Sequence, residues 1–311
     1  MKRCALLLYL GFALLWGGPW TVPAGAEPQV FDPPPSADCF TAYFLDLGLS
    51  VAGSPGDCTV IISPGGEHVM MVDAGLESSR DEIMNALNAM GISRIDCLVV
   101  SHPHGDHTGC MPEIMDTFEI GACYTGAVKD EAAQNYQDYM AAMKRRGIPH
   151  VIVGDGDTIP FGPVAVDVLW PAREIVYPGP MADNTAFINN HSLVLKFTYG
   201  ESTLLLGGDL YLAGEQLVIN RHKEALDVDV IKLNHHGKNT SSGATWRRAV
   251  SAEAVVCQAD TLYDYALLKR FLRESEVFHT MLDGNICIRM YADGTRQTLC
   301  DKREESPFLL R

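Results

Sequence analysis

Apolar positions along this chain come in short bursts between glycine-rich turns, with few long helical waves. The bursts fall at residues 40–47, 58–62, 68–72 and 97–100, then at 151–153, 164–170, 193–199, 203–206 and 228–233. Runs of that length bounded by turn residues predict buried strands. Helical periodicity is confined to fewer stretches. Residues 79–90 carry it, opened by Ser78 or Ser79 with acids close behind as an N-cap requires, and so do 112–118 and 132–146. Towards the end, helix (245–250, 265–274) alternates with strand (254–257, 286–291, 296–300). Strands in excess of helices, in two βαβ-like halves, predict two mixed sheets face to face with helices outside.

The two ends break this pattern. Met1-Lys2-Arg3 followed by the apolar Cys4 to Trp16 and the small-x-small Ala24-Gly25-Ala26 predicts a secretory signal in residues 1–26. The alternative is an uncleaved anchor, but the apolar stretch falls short of the roughly 20 residues that span a bilayer. Residues 27–38, with Pro28 and Pro33-Pro34-Pro35, predict an extended leader, 39–301 the folded domain and 302–311 a tail. A chain of 311 residues with 47% hydrophobic content can bury a large core. Its net charge is −15, and removal of residues 1–26 takes away two bases and no acid, leaving 22 bases against 39 acids, or −17. So acidic a surface repels polyanions, so neither stable nucleic-acid binding nor, after signal cleavage, membrane association is expected; the oligomeric state is left open. Eight cysteines would survive cleavage, with no Cys-x-x-Cys pair to suggest a thiolate zinc site. An Asp293-Gly294 two-residue turn would set Cys287 opposite Cys300, a candidate disulfide.

Chemistry concentrates in Ser101-His102-Pro103-His104-Gly105-Asp106-His107-Thr108-Gly109, directly after an apolar run. His102 and His104 point the same way from an extended segment and can grip one cation. Gly105 permits a bend after which Asp106 and His107 can serve a second cation about 3.5–4 Å away. Two further strands end in candidate ligands. Pairing outward from the Gly200-Glu201 turn sets His191 opposite Leu210, beside Asp209, so a histidine to complete the first site and a bridging carboxylate arrive together. The run ending at Asn234-His235-His236-Gly237 offers two histidines that alternation would turn opposite ways. His235 is favoured as the ligand and His236 as a substrate contact or proton donor, with the reverse left open. Asp73, at another strand end, suits a hydrogen bond to a ligating histidine or a loop amide.

With Phe44-Leu45-Asp46-Leu47-Gly48, Val72-Asp73-Ala74-Gly75, Asn190-x-Ser192-Leu193-Val194-Leu195, Gly208-Asp209, His235-His236-Gly237 and Leu282-Asp283-Gly284-Asn285-Ile286, these residues resemble the metallo-β-lactamase superfamily. They resemble most the C-terminal hydrolase domain of competence DNA-uptake (ComEC-type) proteins and their free-standing relatives. The resemblance covers roughly residues 40–295 and implies an α/β four-layer αβ/βα sandwich. Two departures stand out: a compact Gly-x-Gly-Asp segment of that branch is expanded here into Gly48 through Asp57, and His191 stands where the branch often lacks a histidine.

The expected protein is a secreted hydrolase with two divalent metal ions, zinc by donor type and manganese as the alternative. His102, His104 and His191 would hold one, Asp106, His107 and His235 the other, with Asp209 bridging. Asp106 would orient a metal-bridged hydroxide and His236 assist the leaving group. The resemblance points to a phosphodiester substrate, a small one or a single nucleic-acid strand. A lactonase or β-lactamase-type acyl hydrolase, and a non-catalytic metal-stabilised surface module, are the competing readings.

Overall fold

Two β-sheets stacked face to face carry the fold, seen in a computed structural model that describes residues 28–34, 36–50, 54–179, 183–302 and 308. The expected signal segment lies outside these residues, as does most of the expected tail. The first sheet runs in the order β14 (Arg296–Cys300), β13 (Ile286–Tyr291), β1 (Cys39–Phe44), β2 (Thr59–Ile62), β3 (Val69–Val72), β4 (Arg94–Val100), β5 (Glu119–Thr125) and β6 (His150–Ile152). The second runs β12 (Glu276–His279), β11 (Ala254–Cys257), β10 (Val230–Lys232), β9 (Ser202–Leu206), β8 (Val194–Tyr199) and β7 (Ala165–Trp170).

Side-chain alternation fills three apolar layers. In β1, Phe40, Ala42 and Phe44 enter the layer between the sheets, where they meet Phe197, Leu204 and Val230 of the second sheet, while Tyr43 turns outward. In β4, Cys97 and Val99 face inward, and Leu98 and Val100 face the helices α1 (Arg80–Ala89), α3 (Met111–Thr117) and α4 (Gln134–Arg146). Both faces of β4 are therefore covered, which explains its near-continuous apolar run. The outer face of the second sheet is covered by α6 (Leu212–His222), α7 (Ala244–Val250) and α8 (Tyr265–Phe271), built round Val218, Trp246 and Phe271. This is the four-layer α/β sandwich expected. Short helices α2 (Gly105–Thr108), α5 (Thr185–Asn189) and α9 (Thr280–Asp283) complete the set. Among the described residues no helix is long and apolar enough to cross a membrane.

Two local expectations are corrected. Tyr291 N donates to Thr295 O and Met290 faces Arg296, so the last hairpin has a three-residue loop ending at Gly294, whose φ is 83°. That one extra loop residue slips the register: Cys300 pairs with Ile286 and Cys287 with Leu299, so the two cysteines do not stand opposite each other. The other correction concerns the leader. Residues 28–34 lie against the first sheet, with Val30 buried, Phe31 packed on Tyr43 at 6.0 Å, and the Asp32 carbonyl accepting from the buried Arg289 guanidinium at 2.5 Å.

Candidate metal centre

The segments that carry the centre leave the same edge of the two sheets. Asp73 follows β3, residues 101–107 follow β4, Asp209 follows β9 and His235-His236 follow β10. The strands concerned end there, so loop chemistry is displayed on a rigid frame. Asp57, just ahead of β2, joins them through a close approach of two backbones. Gly56 has φ 87°, and a Cβ there would lie 1.5 Å from the Asp106 carbonyl oxygen, so glycine alone fits. Of the five described non-glycine residues with positive φ, Asp73 (64°), His235 (47°) and His236 (53°) belong to the centre. Such conformations cost roughly 1–3 kcal/mol each and persist where surrounding contacts enforce them.

Asp209 is the hub. Its Oδ1 lies 3.3 Å from His107 Nε2, and its Oδ2 lies 3.3 Å from His236 Nε2, 3.8 Å from His235 Nε2 and 3.9 Å from His102 Nε2. Asp106 Oδ2 is 3.4 Å from His236 Nε2. Asp106, His107, Asp209 and His236 thus gather donor atoms within 4.8 Å of one another. Beside them, His102 Nε2 and His104 Nδ1 face each other at 3.0 Å, as alternation in an extended segment predicts.

The opposite ring nitrogens are held from behind. His107 Nδ1 contacts Asp73 Oδ2 at 2.8 Å, and Asp73 is itself fixed by Ser101 N (2.7 Å) and Ser101 Oγ (2.6 Å). His102 Nδ1 meets Ser101 Oγ at 3.0 Å, and His236 Nδ1 meets Asp57 Oδ1 and the Gln258 carbonyl, both at 3.2 Å. Oxygen partners on Nδ1 leave Nε2 of these rings for the centre, the arrangement of metal-ligating imidazoles. A direct test of fit is polar satisfaction. His107 Nε2, His236 Nε2 and Asp209 Oδ1 are buried, make no hydrogen bond, and converge on one point. Unpaired buried polar atoms are costly, and a cation among two nitrogens and carboxylates satisfies them all.

The structure reverses the expected order of the paired histidines. His236, expected to face substrate, lies in the tetrad; His235, expected to ligate, stands at the rim with Nδ1 on the Thr240 hydroxyl and its ring 4.8 Å from that of Tyr211. Alternation failed as a guide because both residues adopt left-handed backbone angles in place of extended ones. His191 is brought to the same edge, since Ser192 Oγ accepts from Asp209 N and Leu193 N donates to Ser101 O. Its ring lies outside the tetrad, packed against Phe187 at 4.3 Å and Trp170 at 6.2 Å, and its Nδ1 donates to the Phe187 carbonyl at 2.7 Å. Asp57 and Lys232 were given no role in the sequence, where Asp57 only ends the Gly48 to Asp57 segment and Lys232 is a single lysine in an apolar run.

Charges in the centre are strongly coupled. Burial pulls the pKa of His107 and His236 down, but Asp209, with Asp73 beside His107 and Asp57 beside His236, outweighs it and holds both well above the usual value. Burial, then His107, hold His102 well below it. Burial raises the Asp209 carboxyl, yet His236 and His107 keep it well below the carboxylate range. His235 is pushed down to about 4, chiefly by burial.

Glu215 of α6 shapes the loop that presents both histidines. Its buried carboxylate accepts from Ser242 N, from Gly243 N at 3.0 Å and from Asn234 Nδ2 at 2.9 Å. Glu215→Ala strands two buried donors, at about 1–3 kcal/mol each, and one half-buried donor. A loss of at least about 2 kcal/mol in urea denaturation is the expected result, and a loss under about 1 kcal/mol contradicts this role.

Comparison with known proteins follows the same lines. The family profile described as "Metallo-beta-lactamase superfamily" matches residues 51–258. Competence protein ComA of Neisseria gonorrhoeae is 25% identical over 82% of this chain and 32% of its own length. ComE operon protein 3 of Bacillus subtilis is 27% identical over 56% of this chain and 21% of its own. The chain thus spans a third or less of these relatives. Among solved structures, the metallo-beta-lactamase fold protein YhfI of Bacillus subtilis aligns over 84% of this chain and 100% of its own, with a TM-score of 0.50 and 12% identity, a likeness of fold.

Proposed function

We propose, from the premise that this chain belongs to the metallo-β-lactamase superfamily, that it is a secreted two-metal hydrolase of phosphodiesters, acting on a small diester or a single nucleic-acid strand. The observation that carries the reading is the Asp209 carboxylate, turned towards imidazoles of both halves of the motif. Likeness to competence proteins favours phosphodiester over acyl substrates. The net charge of −15 favours a small or single-stranded substrate over duplex.

His102 and His104, with His191 beside them, would hold one cation; Asp106, His107, Asp209 and His236 the other. Zinc suits this donor set and manganese is the alternative; bound there, either supplies Lewis acidity and lowers the pKa of water. The residues do the rest. Asp106 is the partly exposed carboxylate of the tetrad, placed to accept a hydrogen bond from the attacking water and orient it. His235 takes the substrate-facing role. When the Thr240 hydroxyl donates to its Nδ1, Nε2 keeps its hydrogen and can donate to a phosphoryl oxygen or the leaving group.

The test is hydrolysis of bis-p-nitrophenyl phosphate by the full chain with zinc or manganese, beside a chromogenic lactam. Cleavage of the diester alone is expected. Cleavage of the lactam alone would make the protein an acyl hydrolase, and stoichiometric metal with neither reaction would make it a binding module.

Metal uptake should depend steeply on pH. In the metal-free protein the raised His107 and His236 pKa values give stability that is full below the usual 6.5 and lost as pH rises through the folded values. The lowered Asp209 value gives stability present above 3.8 and lost as pH falls through its folded value. Metal must displace the imidazolium protons, so apparent affinity climbs with pH, by up to about a hundredfold per unit for two protons. Thermal melts with and without zinc should show a larger metal-induced rise in Tm at pH 8 than at pH 6. An equal rise at both contradicts proton competition.

A further inference from the structure

Lys232 ends β10, facing the same side as Val230, towards the layer between the sheets. It is 2% exposed. Its ammonium forms an ion pair with Asp57 Oδ2 and donates to the carbonyls of Gly208 (3.3 Å) and Leu233 (3.1 Å). Each contact lies next to the centre. Gly208 precedes Asp209, Leu233 precedes the Asn234-His235-His236 turn, and the other oxygen of Asp57 lies 3.2 Å from His236 Nδ1. The Asp57 amide also donates to the Asp106 carbonyl at 3.3 Å, and its carbonyl accepts from Gly75 N at 2.9 Å. One buried ion pair thereby touches the segments carrying Asp73, Asp106, Asp209 and His236.

Stability is a poor reason for such a pair. Desolvating two charges costs several kcal/mol per ion, and apolar replacements of similar volume are often neutral or stabilising. Its contacts point elsewhere. We propose that Lys232 and Asp57 are positioning residues of the metal centre. Asp57 holds the His236 ring so that Nε2 faces Asp106 and Asp209, and Lys232 holds Asp57 and the backbone on either side of the β9 and β10 ends. The pair fixes the second cation position and leaves the His102–His104 position untouched.

The measurement is zinc titration of the full chain against a chromophoric chelator, with chemical denaturation alongside, for wild type, Asp57→Asn, Lys232→Met and the double variant. Each single variant strands a buried partner and should unfold more easily. The double variant removes both charges and should recover most of the lost stability. Its second zinc should nevertheless bind about 10–100-fold more weakly, the usual cost of losing a group that orients a ligand, with the first unchanged. Recovered stability together with wild-type affinity for both ions overturns the proposal. Should the double variant fail to fold, Lys232→Arg keeps the charge and alters the reach. A weaker second ion is expected there too, and unchanged affinity again overturns the proposal. The inference rests on the two-cation reading: wild type that takes up fewer than two zinc ions overturns that reading and this one together, whereas two ions held equally by wild type and double variant overturn this one alone.

Discussion

Asp209→Ala is expected to lose metal and activity together. Its carboxylate is the acceptor within 3.9 Å of four histidines from the β4 and β10 ends. Removing it leaves the nitrogens of His107 and His236 facing an empty space in a buried setting. Losing a group that only orients a ligand costs about 10–100-fold in affinity or activity. Losing the hub itself should exceed that range in turnover of bis-p-nitrophenyl phosphate, with metal content per chain falling in parallel by elemental analysis. Retention of both would mean that the centre does not use this carboxylate. Circular dichroism guards against trivial unfolding, because Asp209 follows a strand and contributes nothing to the apolar layers.

His236→Ala and His235→Ala should part company. His236 lies between Asp106 and Asp209 with Asp57 behind it, so its loss should weaken the second metal by at least about a hundredfold, beyond the effect of removing an orienting group. His235 sits at the rim against Thr240 and Tyr211. Its loss should leave two metals per chain and lower turnover by about 10²–10³-fold, as for the loss of one hydrogen-bond donor to developing charge. Metal stoichiometry measured beside kcat separates them. If the two variants exchange phenotypes, the assignment expected from the sequence was right and the geometry misleads.

What could be read in advance follows from the range over which each feature is determined. The His102 to His107 cluster was legible because its geometry is set within a few residues, by a strand end, a proline and a glycine. Asp209 was legible because the β8–β9 hairpin is local, with Tyr199 facing Ser202 as its turn implies. Asp57 and Lys232 were hidden because their partners come from other parts of the chain, and a lone acid or lysine carries no sign of them. The His235-His236 order depended on backbone angles that adjacent residues do not announce. Some elements escaped notice too. In β5, Gly121 and Ala122 dilute the strand signal, and in α6, Gly214 and the β-branched Val218-Ile219 lower helix propensity. β12 is only four residues long.

The candidate ligands divide between the sheets: His102, His104, Asp106 and His107 follow a strand of the first, Asp209 and His236 follow strands of the second. Neither half alone owns the whole candidate set, so an ion held by all of it would be a clasp that closes only after both halves have docked. If the proposed export precedes folding, that moment comes at the destination. On the proposed two-cation reading, the choice between zinc and manganese then belongs to the surroundings in which the protein folds as much as to its donor atoms. A preparation refolded or expressed in another compartment would carry the metal of that compartment.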